Sequence, residues 1–174
     1  MPRNISQIRR LGTCRVNFQP AGGGAPARLA NDMGYTLGGV TVTITMDQVE
    51  INVDDYGTVP VDSIDVGTNI EAVTPLIQAT LANYSDTLWP GTNSPLDRLT
   101  FGRIVGTSIT KGRLVLDPIN DTDGIVIYSA GCISIDDLGY NNDGVRIIGA
   151  HWKGFVDDNR NNGDKVFRIF GTMS

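Results

Sequence analysis

Val40-Thr41-Val42-Thr43-Ile44-Thr45-Met46, followed after Asp47-Gln48 by Val49-Glu50-Ile51-Asn52-Val53-Asp54, is the stretch that decides the fold class. Strict alternation of β-branched apolar and polar residues is the period of a half-buried strand. Met46-Asp47-Gln48 reads as a turn between the two runs, which predicts an antiparallel hairpin. Val40, Val42, Ile44, Val49, Ile51 and Val53 then face a core. Thr41, Thr43, Thr45, Glu50, Asn52 and Asp54 face the other way.

Downstream, residues 55–67 read as a loop, and Glu71 to Ala79 as a strand despite Pro75. Leu81, Tyr84 and Leu88 recur at helical spacing before the stop signal Trp89-Pro90-Gly91, predicting one short helix. Strands follow at Gly112–Leu116, Ile125–Ile135, Val145–Val156 and Val166–Phe170, with Asp157 to Asp164 as a hairpin loop joining the last two. Upstream, Ala21-Gly22-Gly23-Gly24-Ala25-Pro26-Ala27 suits neither helix nor central strand. Residues 1–30 therefore read as an extended N-terminal arm and its glycine-rich hinge, within which Arg15 to Gln19 alternates like a short strand. Residues 31–174 read as one β domain. The expected fold is mainly β: two packed antiparallel sheets, as a sandwich or half-barrel, with one short flanking α-helix.

Charge is distributed unevenly. The net charge is −5, yet residues 1–30 hold Arg3, Arg9, Arg10, Arg15 and Arg28 and no acid. From Leu29 to Asp97 there is no Lys or Arg, while Asp32, Asp47, Glu50, Asp54, Asp55, Asp62, Asp65, Glu71, Asp86 and Asp97 fall there. A basic arm before an acidic body lets like units attract head to tail. The acidic body opposes tight nucleic-acid binding, because phosphates need positive charge opposite them. No apolar run approaches the roughly 20 residues of a membrane helix, and the N-terminus lacks the apolar stretch of a signal peptide. Folding in a cytosol is expected, with Cys14 and Cys132 as thiols.

Catalytic signatures are sparse. The single histidine, His151, allows no His-rich metal site and reads as a packing or edge residue of a strand. Gly106-Thr107-Ser108-Ile109-Thr110-Lys111 lacks the order of a phosphate-binding loop. Asp54-Asp55, Asp136-Asp137 and Asp157-Asp158 pair carboxylates, but adjacent strand residues point to opposite faces and all three pairs lie near turns. Asp121-Thr122-Asp123-Gly124 and Asp157, Asn159 and Asn161 partly match calcium loops. The second has Asn162 where the turn glycine belongs and Arg168 where the bidentate Glu belongs. No enzyme, cofactor or metal role is expected.

The order of motifs resembles the tail tube proteins of long-tailed bacteriophages. Gly34-Tyr35-Thr36-Leu37-Gly38-Gly39-Val40 before two strands resembles the opening of that family. Val53-Asp54-Asp55-Tyr56-Gly57-Thr58-Val59-Pro60-Val61-Asp62, the strand into a short helix ending at Trp89-Pro90, and the closing Val166-Phe167-Arg168-Ile169-Phe170-Gly171 continue the likeness. Gln78 departs from it, standing where many relatives carry an acid. The resemblance implies a structural virion protein, assembled in a bacterial cytoplasm, whose hexameric rings stack into a tube. DNA transits that tube without specific binding, and tape measure, terminator and baseplate proteins are the implied partners. Thr41, Thr43, Thr45, Glu50, Asn52 and Asp54 would line the lumen. Arg3, Arg9, Arg10 and Arg15, with Tyr56 in the 56–68 loop, would join ring to ring. Another ring-forming tail part (terminator or baseplate hub) or a secretion or contractile-device tube is the neighbouring alternative. A calcium- or carbohydrate-binding β-sandwich is the alternative of another class.

Overall fold

The computed structural model describes residues 3–20, 32–52, 60–77, 83–84, 87, 91–94, 98–101, 106, 108–119, 123–136, 147–160 and 163–171. The protein is mainly β. Its strands are β1 (Arg3–Leu11), β2 (Cys14–Pro20), β3 (Asp32–Tyr35), β4 (Val40–Asn52), β5 (Pro60–Leu76), β6 (Gly91–Ser94), β7 (Arg98–Phe101), β8 (Gly112–Pro118), β9 (Gly124–Ile135), β10 (Ile148–Gly154) and β11 (Phe167–Phe170). β6 and β7 form a separate hairpin. The others make one antiparallel sheet in the order β1-β4-β5-β10-β9-β8-β2-β3, with β11 also on β9. Asn83, Tyr84 and Thr87, the described residues of the expected helix, are helical. Asn83 Nδ2 donates to Met33 O at 2.7 Å, and Thr87 Oγ1 donates to Asn83 O at 2.8 Å.

Two long strands are each broken once. β1 and β2 run on through Gly12-Thr13, and β3 and β4 through residues 36–39, where Gly38 and Gly39 take φ of 80° and 90°. Only glycine adopts that backbone without strain. A Cβ on Gly39 would also strike the carbonyl oxygen of Leu11. The break lets β4 lie on β1 while β3 lies on β2. It also brings the end of β3 back to β5: Thr36 bridges Leu76, Leu37 N donates to Pro75 O at 2.9 Å, and Ile77 N donates to Tyr35 O at 3.0 Å. The sheet thus closes through β5, β10, β9, β8, β2 and β3 around one core.

That core is filled from every strand of the ring. Val16, Phe18, Met33, Ile70, Leu76, Leu114, Leu116, Ile125, Ile127 and Ile148 are fully buried, joined by Val40 and Val42 of β4. Trp152 packs on Phe18 with ring centroids 4.8 Å apart and donates from Nε1 to Thr74 Oγ1 at 2.8 Å. The indole therefore ties β10 to β5 and to β2 across the interior, with its polar hydrogen satisfied.

Several expectations need correction. Residues 3–20, expected as an arm, are strands of the sheet, and Cys14, Val16 and Phe18 of β2 have no exposed surface. The interior needs their apolar face, so they are not spare chain. The glycine-rich hinge at 21–30 lies outside the described residues. No turn interrupts β4: its pairing with β1 runs unbroken from Val40 to Gln48, and its pairing with β5 continues to Asn52. Residues 60–67, expected as loop, are the first half of β5, where Pro60 sits at the strand start that proline tolerates. Asp157 to Asp164 does not join a hairpin. β10 and β11 both run antiparallel to β9, β10 pairing with its residues 130–135 and β11 with 124–127. The loop is an excursion between two pieces in line.

Candidate functional site

Side chains of directly opposed strand residues share a face. Thr41 is opposed to Val73, which is opposed to His151, which is opposed to Ser134; Thr43 is opposed to Glu71, which is opposed to Lys153; Thr45 is opposed to Asn69. Together they make a continuous polar face turned away from the core, across β4, β5, β10 and the end of β9. Its charges are locally matched. Lys153 Nζ lies 3.8 Å from Glu71 Oε1, Asn69 Nδ2 donates to the same oxygen at 3.5 Å, and His151 Nε2 lies 2.9 Å from Asp136 Oδ1. His151, expected as an edge or packing residue, thus stands half-buried on this polar face beside an exposed carboxylate.

Beyond Thr45 the character of β4 changes. The strand keeps its alternation, so Val49 and Ile51 lie on the face of Thr41, Thr43 and Thr45, while Glu50 and Asn52 lie on the face of Val40, Val42 and Ile44. Of the expected lumen-facing set, the structure brings Thr41, Thr43 and Thr45 together on one face and puts Glu50 and Asn52 on the opposite one. Asp54 lies outside the described residues. The missed turn explains the exchange, because a one-residue phase change swaps every side chain between faces.

The outcome is a ribbon, residues 47–52 of β4 against 60–67 of β5, with exposed apolar side chains. Val49 and Ile64 oppose one another, 44% and 53% exposed. Val61 and Val66 have no partner in β4; they are the extra residues of two irregularities in β5, and are 55% and 61% exposed. Counting from Thr45 to Asn52 at ~3.4 Å per residue, the ribbon extends roughly 25 Å beyond the buried part of β4. Through Gln48 the ribbon has β1 on its other edge, and only residues 49–52 against 60–64 are two-stranded; a two-stranded ribbon is marginal in water on its own, and contiguous exposed apolar surface marks an interaction site. Asp62 and Asp65 flank these residues, their carboxylates accepting from Ser63 N at 2.8 Å and Gly67 N at 3.0 Å.

Of the expected ring-to-ring residues, Arg3, Arg9 and Arg10 fall in β1, which pairs with β4 and, among the described residues, with no other strand. Arg15 is committed within the chain: Nε donates to Asp32 Oδ2 at 2.6 Å across β2 and β3, a second guanidinium nitrogen contacts the same carboxylate, and this bond raises the guanidinium pKa. Tyr56 lies outside the described residues. Among the described residues, no three His, Cys, Asp or Glu side chains converge as metal ligands would. In the calcium-like loop, Asp157 Oδ1 accepts from Asn159 N at 3.1 Å and so holds its own turn. Cys14 and Cys132 are buried. Burial pushes the Cys132 thiol up to about 12, away from the thiolate that nucleophilic chemistry needs.

No protein-family model and no curated protein matches this chain.

Proposed function

We propose that this chain is a structural subunit that closes with copies of itself into hexameric rings, which stack into the tail tube of a long-tailed bacteriophage. The observation that carries this reading is the exposed ribbon at 47–52 and 60–67. It presents Val49, Val61, Ile64 and Val66 to water at the end of an otherwise buried sheet, and a neighbour would complete it. The edge of β1, which among the described residues pairs with β4 alone, supports the same reading. A nine-residue edge strand exposes a row of backbone donors and acceptors that strand pairing around a closed ring removes.

In such a ring the curled sheet acts as two packed layers. β4, β5 and β10 turn their polar face to the axis, β2 and β8 lie outside, and the helical residues near Asn83 flank them. Thr41, Thr43 and Thr45 with Asn69, Glu71, His151 and Lys153 then wall the bore. Among the described side chains of this wall the one lysine, Lys153, is matched by Glu71, so together with the hydroxyls and amides they offer phosphates no uncompensated cation to hold, and DNA slides. The family resemblance of the motif order supplies the virion setting and the tape measure, terminator and baseplate partners.

Negative-stain microscopy of the purified chain tests this. Striated tubes or stacked rings with a central hole are expected. A chain that stays monomeric at high concentration, with the ribbon still exposed, contradicts the reading.

A further inference from the structure

On the outer surface of β8, β9 and β11, away from β4, three arginines gather around Tyr128. Arg113 lies on β8, and Arg168 on β11 is opposed to Val126. The Arg160 guanidinium carbon stacks 3.5 Å from the centre of the Tyr128 ring. Asp164 stands among them, with Oδ2 3.6 Å from an Arg160 nitrogen and a hydrogen bond to the Tyr128 side chain. Arg113 Nε is buried without a hydrogen-bond partner, and so is Asn17 Oδ1 of β2, whose residue is opposed to Val115. Burial, then the charge of Arg160, lowers the Arg113 pKa. Guanidinium groups crowded in this way gain from carboxylates brought to them, because the planar fork binds two oxygens at once.

The acid suited to meet them is on the ribbon. Asp62 and Asp65 are exposed there; Asp62, opposed to Ile51, shares the face of Val49 and Ile64, whereas Asp65, opposed to Gln48, lies on the other face. Apolar surface also matches: exposed Ile64 on the face of Asp62, and half-buried Phe170 on the face of Arg168, packed with Val126 and Tyr128. We infer that the Arg113–Arg160–Arg168 patch of one copy receives the acidic ribbon of a second copy, Asp62 meeting Arg160 and Arg168. This rests on the self-assembly proposed above and adds which surface receives the ribbon.

Charge exchange tests it. Sedimentation velocity over a concentration series reads assembly of the full chain, and circular dichroism reads folding. D62K and R160E/R168E should each raise the concentration for half-assembly by roughly tenfold or more, as loss of close interfacial charge pairs does. The combination D62K/R160E/R168E should bring it back to within about threefold of wild type. Should either reversal unfold the chain, the neutral pair R160Q/R168Q replaces it and should weaken assembly several-fold. Normal assembly of R160E/R168E or R160Q/R168Q, or no recovery in the combination, overturns the acceptor assignment while the ring reading stands. A wild-type chain that never assembles overturns the ring reading itself.

Discussion

Replacing Ile64 and Val66 together by threonine separates the folding role of the ribbon from its role in assembly. Threonine keeps the β-branched shape that strands favour and puts a hydroxyl where Val66 carries a methyl and Ile64 an ethyl group. In the single subunit these side chains are 53% and 61% exposed, so most of their transfer energy has not been used in folding. Full burial of such a side chain is worth about 1.5–3 kcal/mol, and roughly half of that remains available at each position. The pair therefore contributes on the order of 2 kcal/mol to each ribbon contact, about 30-fold in its association constant. The stability of the dispersed subunit should change by less than about 0.5 kcal/mol, as for other exposed substitutions. Urea melts followed by tryptophan fluorescence read the second quantity, and sedimentation velocity across concentration reads the first. A large loss of subunit stability with assembly unaltered would refute the reasoning, because it would place these side chains in the subunit's own core.

Trp152→Phe should destabilise the subunit by roughly 2–3 kcal/mol, from the lost volume against Phe18 and the lost donor to Thr74 Oγ1; a change under about 0.5 kcal/mol in urea melts would contradict the packing described. Gly39→Ala should cost on the order of 2 kcal/mol or more, since it adds a Cβ at φ 90° against the carbonyl oxygen of Leu11, and an unchanged melting temperature would contradict the break between β3 and β4. Cys132 has its folded pKa raised above the ordinary thiol value of 9.0 to about 12, so the folded state holds the proton more tightly. Its contribution is present below the ordinary value and declines as pH rises through the interval to about 12. Wild type should therefore lose stability relative to Cys132→Ala across that window, and parallel pH profiles would contradict the burial of the thiol.

Much of the fold was legible, and the failures share a cause. The alternation at Val40–Met46 marks the buried half of β4, and the apolar runs after Gly112 and Ile125 mark β8 and β9, because each has a face that folding covers. Val49-Glu50-Ile51 alternates equally well, but its phase differs from that of Val40-Thr41-Val42. Reading both valine rows as core required a turn at Met46-Asp47-Gln48, a site without glycine or proline. The strand instead runs straight on, and its apolar residues emerge exposed on the polar face, uncovered by any of the described residues. Alternation reports which residues share a face; it does not report whether the face meets the subunit's own core or water. Residues 60–67 were unreadable for a related reason, since two irregularities in the pairing destroy the period of β5 there. The threonine row was found from sequence. His151 and Lys153 were not placed beside it, because register between β5 and β10 joins residues far apart in the chain. The arginines around Tyr128 gave no local signal, being spread over β8, β11 and the excursion after β10.

Electron cryo-microscopy of the assembled chain tests the central claim most directly, by locating Thr43, Asn69 and Glu71 relative to the symmetry axis. The account expects a ring whose hole is bordered by these side chains, with the 47–52 and 60–67 ribbon covered by another copy. A ring that carries the same residues on its outer rim, or an assembly that leaves the ribbon in solvent, would contradict it.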